Sequence, residues 1–417
     1  MTSRERVQAA LEHRAPDRTP RDFGSTAITG LSASFIFKLR RAIGLPEKPV
    51  PVFCPYQMLG EVDDDLCRYL RIDTKSIWPS GNLFGFDNTP VKPFTMNDGT
   101  PVLVPDAFNT KREPDGSVYQ YACGDKNYPP SGVMPKDGFY FDATVRSLPV
   151  MDDDLLNPDD NLEEFSILKD TALRKIERET LDLYENTDYA IVGGGPGGTG
   201  LGDIALVPGT MLREPKGVRD IEDWYISPLI RPDYVKEVFD RQTDIALENL
   251  KLYFEAVGDR ISVIVLCGTD FGSQNSLMLS PDVFRELYIP YYKKMTDWIH
   301  KNTSWKIFKH SCGAVEPLVP LFIEAGFDIL NPVQISAIGM EPDVLKQKYG
   351  DKITFWGGGI NTQTTLPEGT QNEVRKEVHQ LVSTFGKNGG FVFNTIHNVQ
   401  PNVPVENFLA MIDALNE

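Results

Sequence analysis

A parallel α/β barrel of the (β/α)8, TIM type, with an N-terminal helical extension and a β-hairpin insertion, is the architecture these 417 residues predict. Three observations point to it. From about Asp188 onward, short β-branched runs alternate with long amphipathic segments, the pattern of successive βα units. The runs are evenly spaced, which favours a closed barrel over an open sheet. Polar residues gather just past the strand ends, where a barrel of this kind carries its chemistry.

The opening Met-Thr-Ser-Arg-Glu-Arg starts an amphipathic helix, and Arg18 to Phe23 is the expected first strand. Leu66 to Ile77 contains a helix-to-strand transition that supplies the second. Residues 79–150 are rich in Gly, Pro, Asp and aromatics, with alternating runs such as Ser117 to Tyr121, and read as an insertion over one barrel face. Strand Tyr189 to Val192 leads into the glycine cluster Gly193 to Gly198 and a helical stretch near Leu201 to Leu206. A helix from Pro232 to Val257 precedes strand Ile261 to Leu266. Ser280-Pro281-Asp282 is an N-cap with proline at the first helical position, opening a helix to Asn302. Strand Trp305 to Phe308, helix Val315 to Ala325, strand Asp328 to Leu330 and helix Pro342 to Tyr349 follow. Strand Ile353 to Trp356, helix Gln371 to Phe385, strand Phe391 to Phe393 and a closing helix from Val405 to Leu415 complete the series. The whole of 1–417 is expected to form a single barrel domain.

Charge narrows the functions. With 42 basic against 59 acidic residues the net charge is −17, which repels phosphate backbones and anionic bilayers and argues against nucleic-acid and membrane partners. No apolar stretch approaches the ~20 residues that span a bilayer, so a cytoplasmic enzyme is expected. The five cysteines are scattered and odd in number, unlike a disulfide framework.

His310 and Cys312, at a strand end, and His397, past a later strand, offer imidazole, thiolate and imidazole, a set suited to Zn²⁺ with a position left open for catalysis. Cys267 or Asp270 is a candidate fourth ligand, though Cys267 reads better as a small buried residue. Gly193 to Gly198 lacks the Lys-Ser/Thr of a P-loop and reads as a tight strand-end turn, as does Gly357 to Gly359. Gly358 and Gly359, with Asn361, are the expected points of cofactor contact. Asp22, Asp270 and Asn331 are the expected catalytic polar residues, and Tyr56, Tyr225, Phe271 and Gln334 the expected substrate contacts, with Trp224 a further aromatic candidate.

Three segments resemble the uroporphyrinogen decarboxylase superfamily: Arg4-Glu5-Arg6-Val7 through Pro16-Asp17-Arg18-Thr19-Pro20, Lys309-His310-Ser311-Cys312-Gly313, and Gly389-Gly390-Phe391-Val392 through Pro404 to Asn407. The resemblance implies a (β/α)8 barrel and one of two branches. The decarboxylase branch carries an arginine-rich loop near its N-terminus that binds substrate carboxylates, whereas here the corresponding stretch, Asp22 to Gly30, has no arginine. The methyltransferase branch binds zinc through His-x-Cys and a later Cys, which carries onto His310 and Cys312, with His397 standing near the later position. It implies transfer of a methyl group from a small O-methyl donor, such as a phenyl methyl ether, to the cobalt of a separate corrinoid (cobalamin) protein. The resemblance also allows a homodimer. The alternative is a cofactor-free decarboxylase using Asp22 or Asp270, and a third reading is a tetrapyrrole-binding accessory protein.

Overall fold

The computed structural model describes residues 1–79 and 81–417. Seven strands form one all-parallel sheet, which we label with the staves of the barrel: β2 (Thr74–Ile77), β3 (Ala190–Gly193), β4 (Val263–Cys267), β5 (Lys306–His310), β6 (Ile329–Asn331), β7 (Thr354–Trp356) and β8 (Phe391–Val392). Residues 20–22, β1, close the ring. Phe393 donates its N–H to the Pro20 carbonyl at 2.8 Å, Asp22 donates to the Phe393 carbonyl at 2.9 Å, and Asp73 donates to the Arg21 carbonyl at 2.9 Å. The first stave is therefore where the sequence predicts it, but only Arg21 makes a ladder bridge, to Phe393. Pro20 has no N–H to give a longer ladder.

Alternate residues of a barrel strand face inward. Ala190, Val192, Val263, Val265, Phe308, Ile329, Trp356 and Val392 pack together as one buried cluster, and Val7, Ala10 and Leu11 of the helix Ser3–Leu11 join it. This cluster is the barrel interior, and the opening helix plugs its amino end. That helix starts with a capping box between Thr2 and Glu5, and Arg6 reaches from it to Asp73 at 2.7 Å. The outer layer is the larger apolar core between staves and helices, held by helices such as Pro232–Val257, Pro342–Tyr349 and Gln371–Phe385.

Three expected helices differ; Val315 to Ala325 opens as the 3-10 turn Glu316–Leu318 and is α-helical only over Val319–Glu324. Leu201 to Leu206 is a series of turns, because Gly202 adopts φ +60° and the Asp203 carboxylate accepts the Ala205 N–H, an Asx turn that competes with helix. The helix expected over Ser280 to Asn302 is two, Pro281–Leu287 and Ile289–Asn302, broken at Tyr288 before Pro290. Its Ser280 cap is as predicted, accepting the Val283 N–H at 3.2 Å.

The segment after β2 is more than a hairpin; Ser80, at its start, lies outside the described residues. Leu59–Gly60, Val50–Cys54, Pro101–Pro105 and Val91–Thr95 form one four-stranded sheet, so residues before β2 take part. Lys111–Arg112, Val118–Tyr121, Pro130–Met134 and Asp142–Ala143 form another. They lean on the turns after β3: Arg146 donates to the Gly209 and Leu212 carbonyls at 2.6 Å, and Gly85 lies against Met211. Both connections leave carboxyl ends of staves, so this β layer sits at the face where a barrel's site lies. No helix among the described residues is long and apolar enough to cross a membrane.

Candidate metal centre

The inward phase of β5 and β6 decides which rim residues meet. Two residues beyond inward Phe308 comes His310, and two beyond inward Ile329 comes Asn331, so both side chains enter the barrel mouth. They touch: His310 Nδ1 stands 2.6 Å from Asn331 Oδ1. The Asn331 amide is oriented by its Nδ2–H, which donates to the Trp356 carbonyl at 2.8 Å. With Oδ1 thus turned to the imidazole, His310 carries its proton on Nδ1 and presents the Nε2 lone pair to the mouth.

Cys312 is held by the turn beyond β5, all of whose N–H groups are captured by neighbouring rims. Ser311 donates to the Asn331 carbonyl at 2.7 Å, Cys312 to Asp270 Oδ1 at 2.7 Å, and Gly313 to Gln334 Oε1 at 2.7 Å. The turn needs glycine at its end, since Gly313 has φ +92° and a Cβ there would meet the Gly272 backbone at 2.2 Å. The result places Cys312 Sγ 3.5 Å from His310 Nε2. From the loop after β8, His397 brings its ring centroid 5.5 Å from that of His310, edge to face. Ligand atoms of His310, Cys312 and His397 all lie within 4.8 Å of one another.

This donor set fits a zinc ion. Bonds of roughly 2.0–2.3 Å in a tetrahedron put neighbouring donors roughly 3.3–3.8 Å apart, and the His310–Cys312 separation already falls there. Electrostatics agree. Burial, and then the His310 charge, push the His397 imidazole down to about 4; burial likewise lowers His310. Both rings are therefore neutral near pH 7, the form that ligates. Burial and the adjacent Asp270 carboxylate push the Cys312 thiol well above its ordinary value, an effect that a bound cation reverses.

Other expected site residues fall in different places. Asp270 stays at the site, with Oδ1 3.5 Å from His310 Nε2. Tyr225 also stays: its hydroxyl donates to the Asp270 carbonyl at 2.9 Å. Asn331 and Gln334 act on the ligands' positions, their carbonyl oxygens being committed to His310 and to Gly313. Asp22 is fully buried, its carboxylate accepting from Ser25 N–H and Oγ, Thr74 Oγ1 and Trp356 Nε1. Four donors fill its lone pairs, and burial, opposed by those donors, raises its carboxyl; it ties β1 to β2 and β7 instead of facing a substrate. Cys267 lies 2.9 Å from the Tyr292 hydroxyl in the buried outer layer, away from the ligand set. Phe271 is also there, edge to face with Phe284 and Tyr288. Trp224 is buried against Phe239. Tyr56 packs on Phe84 in the β layer, where burial pushes its phenol up to about 12.

Gly358 and Gly359 are not a cradle. Their N–H groups donate to the Thr395 and Asn394 carbonyls, and a Cβ on either would strike Val333 or Phe393. They are glycines because the turn after β7 packs that closely on the chain just past β6 and β8. Asn361 caps the following loop, its Oδ1 accepting the Gln363 and Thr364 N–H groups.

Two residues that sequence reasoning passed over belong to the site's surroundings. Lys309 points outward from β5 into the helix layer, fully buried, and donates to the Thr269 carbonyl at 2.7 Å and to the His310 carbonyl. Its ammonium also lies 4.8 Å from the centre of the Phe271 ring, a cation–π contact. Asp203, in the turns mistaken for helix, approaches Gly268 so closely that a Cβ there would be 2.7 Å from its Oδ2. Burial, reinforced by the Asp270 charge, pushes its carboxyl up to about 6.

Residues 209–417 match the family model described as uroporphyrinogen decarboxylase (URO-D). Uroporphyrinogen decarboxylases of Pseudoalteromonas translucida and Shewanella halifaxensis are 25% and 23% identical to this chain in alignments of 239 positions that cover 52% of this chain and 64% of each relative. The chain thus spans somewhat less than two thirds of the length of these relatives. A solved methyltransferase from Methanosarcina mazei superposes on 100% of this chain and 98% of its own, with a TM-score of 0.55 and 16% identity, a likeness of fold.

Proposed function

Since the chain belongs to the uroporphyrinogen decarboxylase family, we propose that it is a zinc-dependent methyltransferase that moves a methyl group from a small O-methyl donor, such as a phenyl methyl ether, to the cobalt of a corrinoid protein. In this reading 1–417 is one barrel domain with an insertion at about 79–150, working in the cytoplasm. One observation carries the proposal: the ligand atoms of His310, Cys312 and His397 converge within 4.8 Å at the barrel mouth. The solved methyltransferase of the same fold is consistent with it.

Zinc held by these three residues supplies a Lewis acid toward the ether oxygen. The chain's own groups prepare that chemistry. Asn331 keeps the His310 proton on Nδ1, and Asp270 holds Cys312 in place through its N–H. Burial of both imidazoles excludes the protons that compete with a metal near pH 7. A decarboxylase acting on a polycarboxylate is less well supported. Asp22 to Gly30 has no arginine to hold such a substrate, and the Asp22 carboxylate is already saturated.

The test is methyl transfer from 2-methoxyphenol to cob(I)alamin by zinc-loaded protein, followed by the cobalamin spectrum. Transfer that disappears in His310→Ala supports the proposal. Release of CO2 from a porphyrinogen by metal-free protein, with no methyl transfer, overturns it.

A further inference from the structure

A cleft of about 450 Å³ that shares no residue with the metal centre opens between the second four-stranded sheet and the turns after β3. Tyr128, just before the strand Pro130–Met134, and Arg146 and Leu148, just after Asp142–Ala143, form one wall. Arg213, Glu214 and Lys216 form the other. Three cations and one carboxylate therefore line the cleft, in a chain whose net charge is −17. That local excess runs against the composition of the whole molecule.

Arg146 joins the two walls. Its guanidinium donates to the Gly209 and Leu212 carbonyls at 2.6 Å and to the Arg213 carbonyl at 3.2 Å, while its buried Nε has no partner among the described residues. Carbonyls satisfy N–H groups without cancelling a charge, and no carboxylate among the described residues pairs with Arg146. Burial, with the Arg219 charge behind it, pushes this guanidinium down to about 10. Arg219 itself is answered by Glu164 at 2.8 Å. Arg213 holds Asp125 at 3.2 Å and keeps its guanidinium 5.9 Å from the centre of the Tyr128 ring. The Lys216 ammonium pairs with no carboxylate among the described residues; only its backbone N–H meets one, Glu163. Like charges gathered in a cleft concentrate a counter-anion there, and Arg and Lys take oxyanions through charge-assisted hydrogen bonds. The Tyr128 ring and Leu148, 87% exposed, offer an apolar seat beside these charges.

We propose that this cleft binds a small molecule carrying an oxyanion, phosphate or carboxylate, on an aromatic body. Arg146, Arg213 and Lys216 draw the oxyanion, and Tyr128 and Leu148 seat the ring. The volume suits such a ligand, since pockets of roughly 300–1,000 Å³ hold small molecules. A long polyanion is disfavoured by the acidic surface around the cleft. The inference is independent of the methyl-transfer reading and stands or falls without it.

Isothermal titration calorimetry of the zinc-loaded full chain with phenyl phosphate, benzoate, phenol and inorganic phosphate tests the assignment. We expect one equivalent of phenyl phosphate or benzoate to bind, the tighter of the two naming the head group, with affinity falling as salt rises. Phenol lacks the charge and inorganic phosphate lacks the ring, so each should bind at least about tenfold more weakly than the better anion. Lys216→Glu, at an exposed position where folding is not at stake, should weaken that anion about tenfold. Arg213→Ala should weaken it by a smaller factor, and His310→Ala should leave it unchanged. Affinity that is unaltered in Lys216→Glu overturns the assignment. Affinity lost in His310→Ala also overturns it, because the anion would then sit at the metal centre. So does the absence of binding by both aromatic anions, or binding of phenol or inorganic phosphate as tight as theirs.

Discussion

The two ends of the barrel treat buried charge in opposite ways. At the amino end, Asp73 is fully buried and every lone pair is answered: Oδ1 by Arg6 and Arg18 at 2.7 and 2.9 Å, Oδ2 by Arg18 and the Arg21 N–H at 2.8 and 2.9 Å. Arg6 reaches on to Asp17, so the opening helix is locked to β2 by paired charges. At the carboxyl end, His310, Cys312 and His397 face one another, with Asp270 close by and, among the described residues, no cationic side chain directed among them. The nearest lysine, Lys309, is turned into the helix layer. One end pairs its buried carboxylate as folded; the other gathers donors that suit a cation. The difference teaches that the amino end supplies stability and the carboxyl end holds its polar groups at a cost that a ligand offsets.

The comparison can be broken most severely at its stable end. Asp73→Ala strands Arg6 and Arg18 beside a buried gap and should cost about 3–5 kcal/mol, read by urea unfolding. The zinc affinity of the molecules that remain folded should be unaltered. At the other end the effect runs through the metal. Zinc at about a thousand times its Kd should raise wild-type stability by about 4 kcal/mol and leave His310→Ala where it was. Equal stabilisation of both would place the metal elsewhere.

The folding plan was legible because periodicity survives in the outer helices. Pro232–Val257, Pro342–Tyr349 and Gln371–Phe385 begin and end where the sequence predicts. The His310, Cys312 and His397 positions were legible as a set of donor types at strand ends. What a strand end does not reveal is direction. Phe271, Asp22 and Asn331 stand on the rim as expected, yet the first points into the helix layer, the second is sealed inside by four donors, and the third backs His310. Counting in twos from Phe308 and Ile329 finds His310 and Asn331 on the inner face, a signal present in the sequence once the inner face is known. Asp203 was hidden by reading Leu201 to Leu206 as helix, although Gly200, Gly202 and Gly209 in the same stretch speak for turns.

Smaller changes sharpen the picture of the open end. Asn331→Ala removes the oxygen that fixes the His310 tautomer and should weaken zinc about 10–100-fold, measured by competition with a chromophoric chelator. A loss of similar size in Gln334→Ala is not expected, since its oxygen meets the Gly313 backbone and not a ligand ring. Smallest per step is the pH effect. Both imidazoles are depressed, His397 to about 4, so both are largely unprotonated near pH 7. The Cys312 thiol is raised and must lose its proton to bind, so zinc affinity should rise about tenfold per pH unit between about 7 and 8. A slope of two or three protons would mean that the histidines are not held neutral.

The most direct measurement is X-ray absorption at the zinc edge of zinc-loaded full-length protein, compared with Cys312→Ala and His397→Ala. The account predicts one sulfur at about 2.3 Å with two imidazole nitrogens at about 2.0 Å, the sulfur lost in the first variant and one nitrogen in the second. A wild-type spectrum without a sulfur shell, or one indifferent to both substitutions, would contradict it.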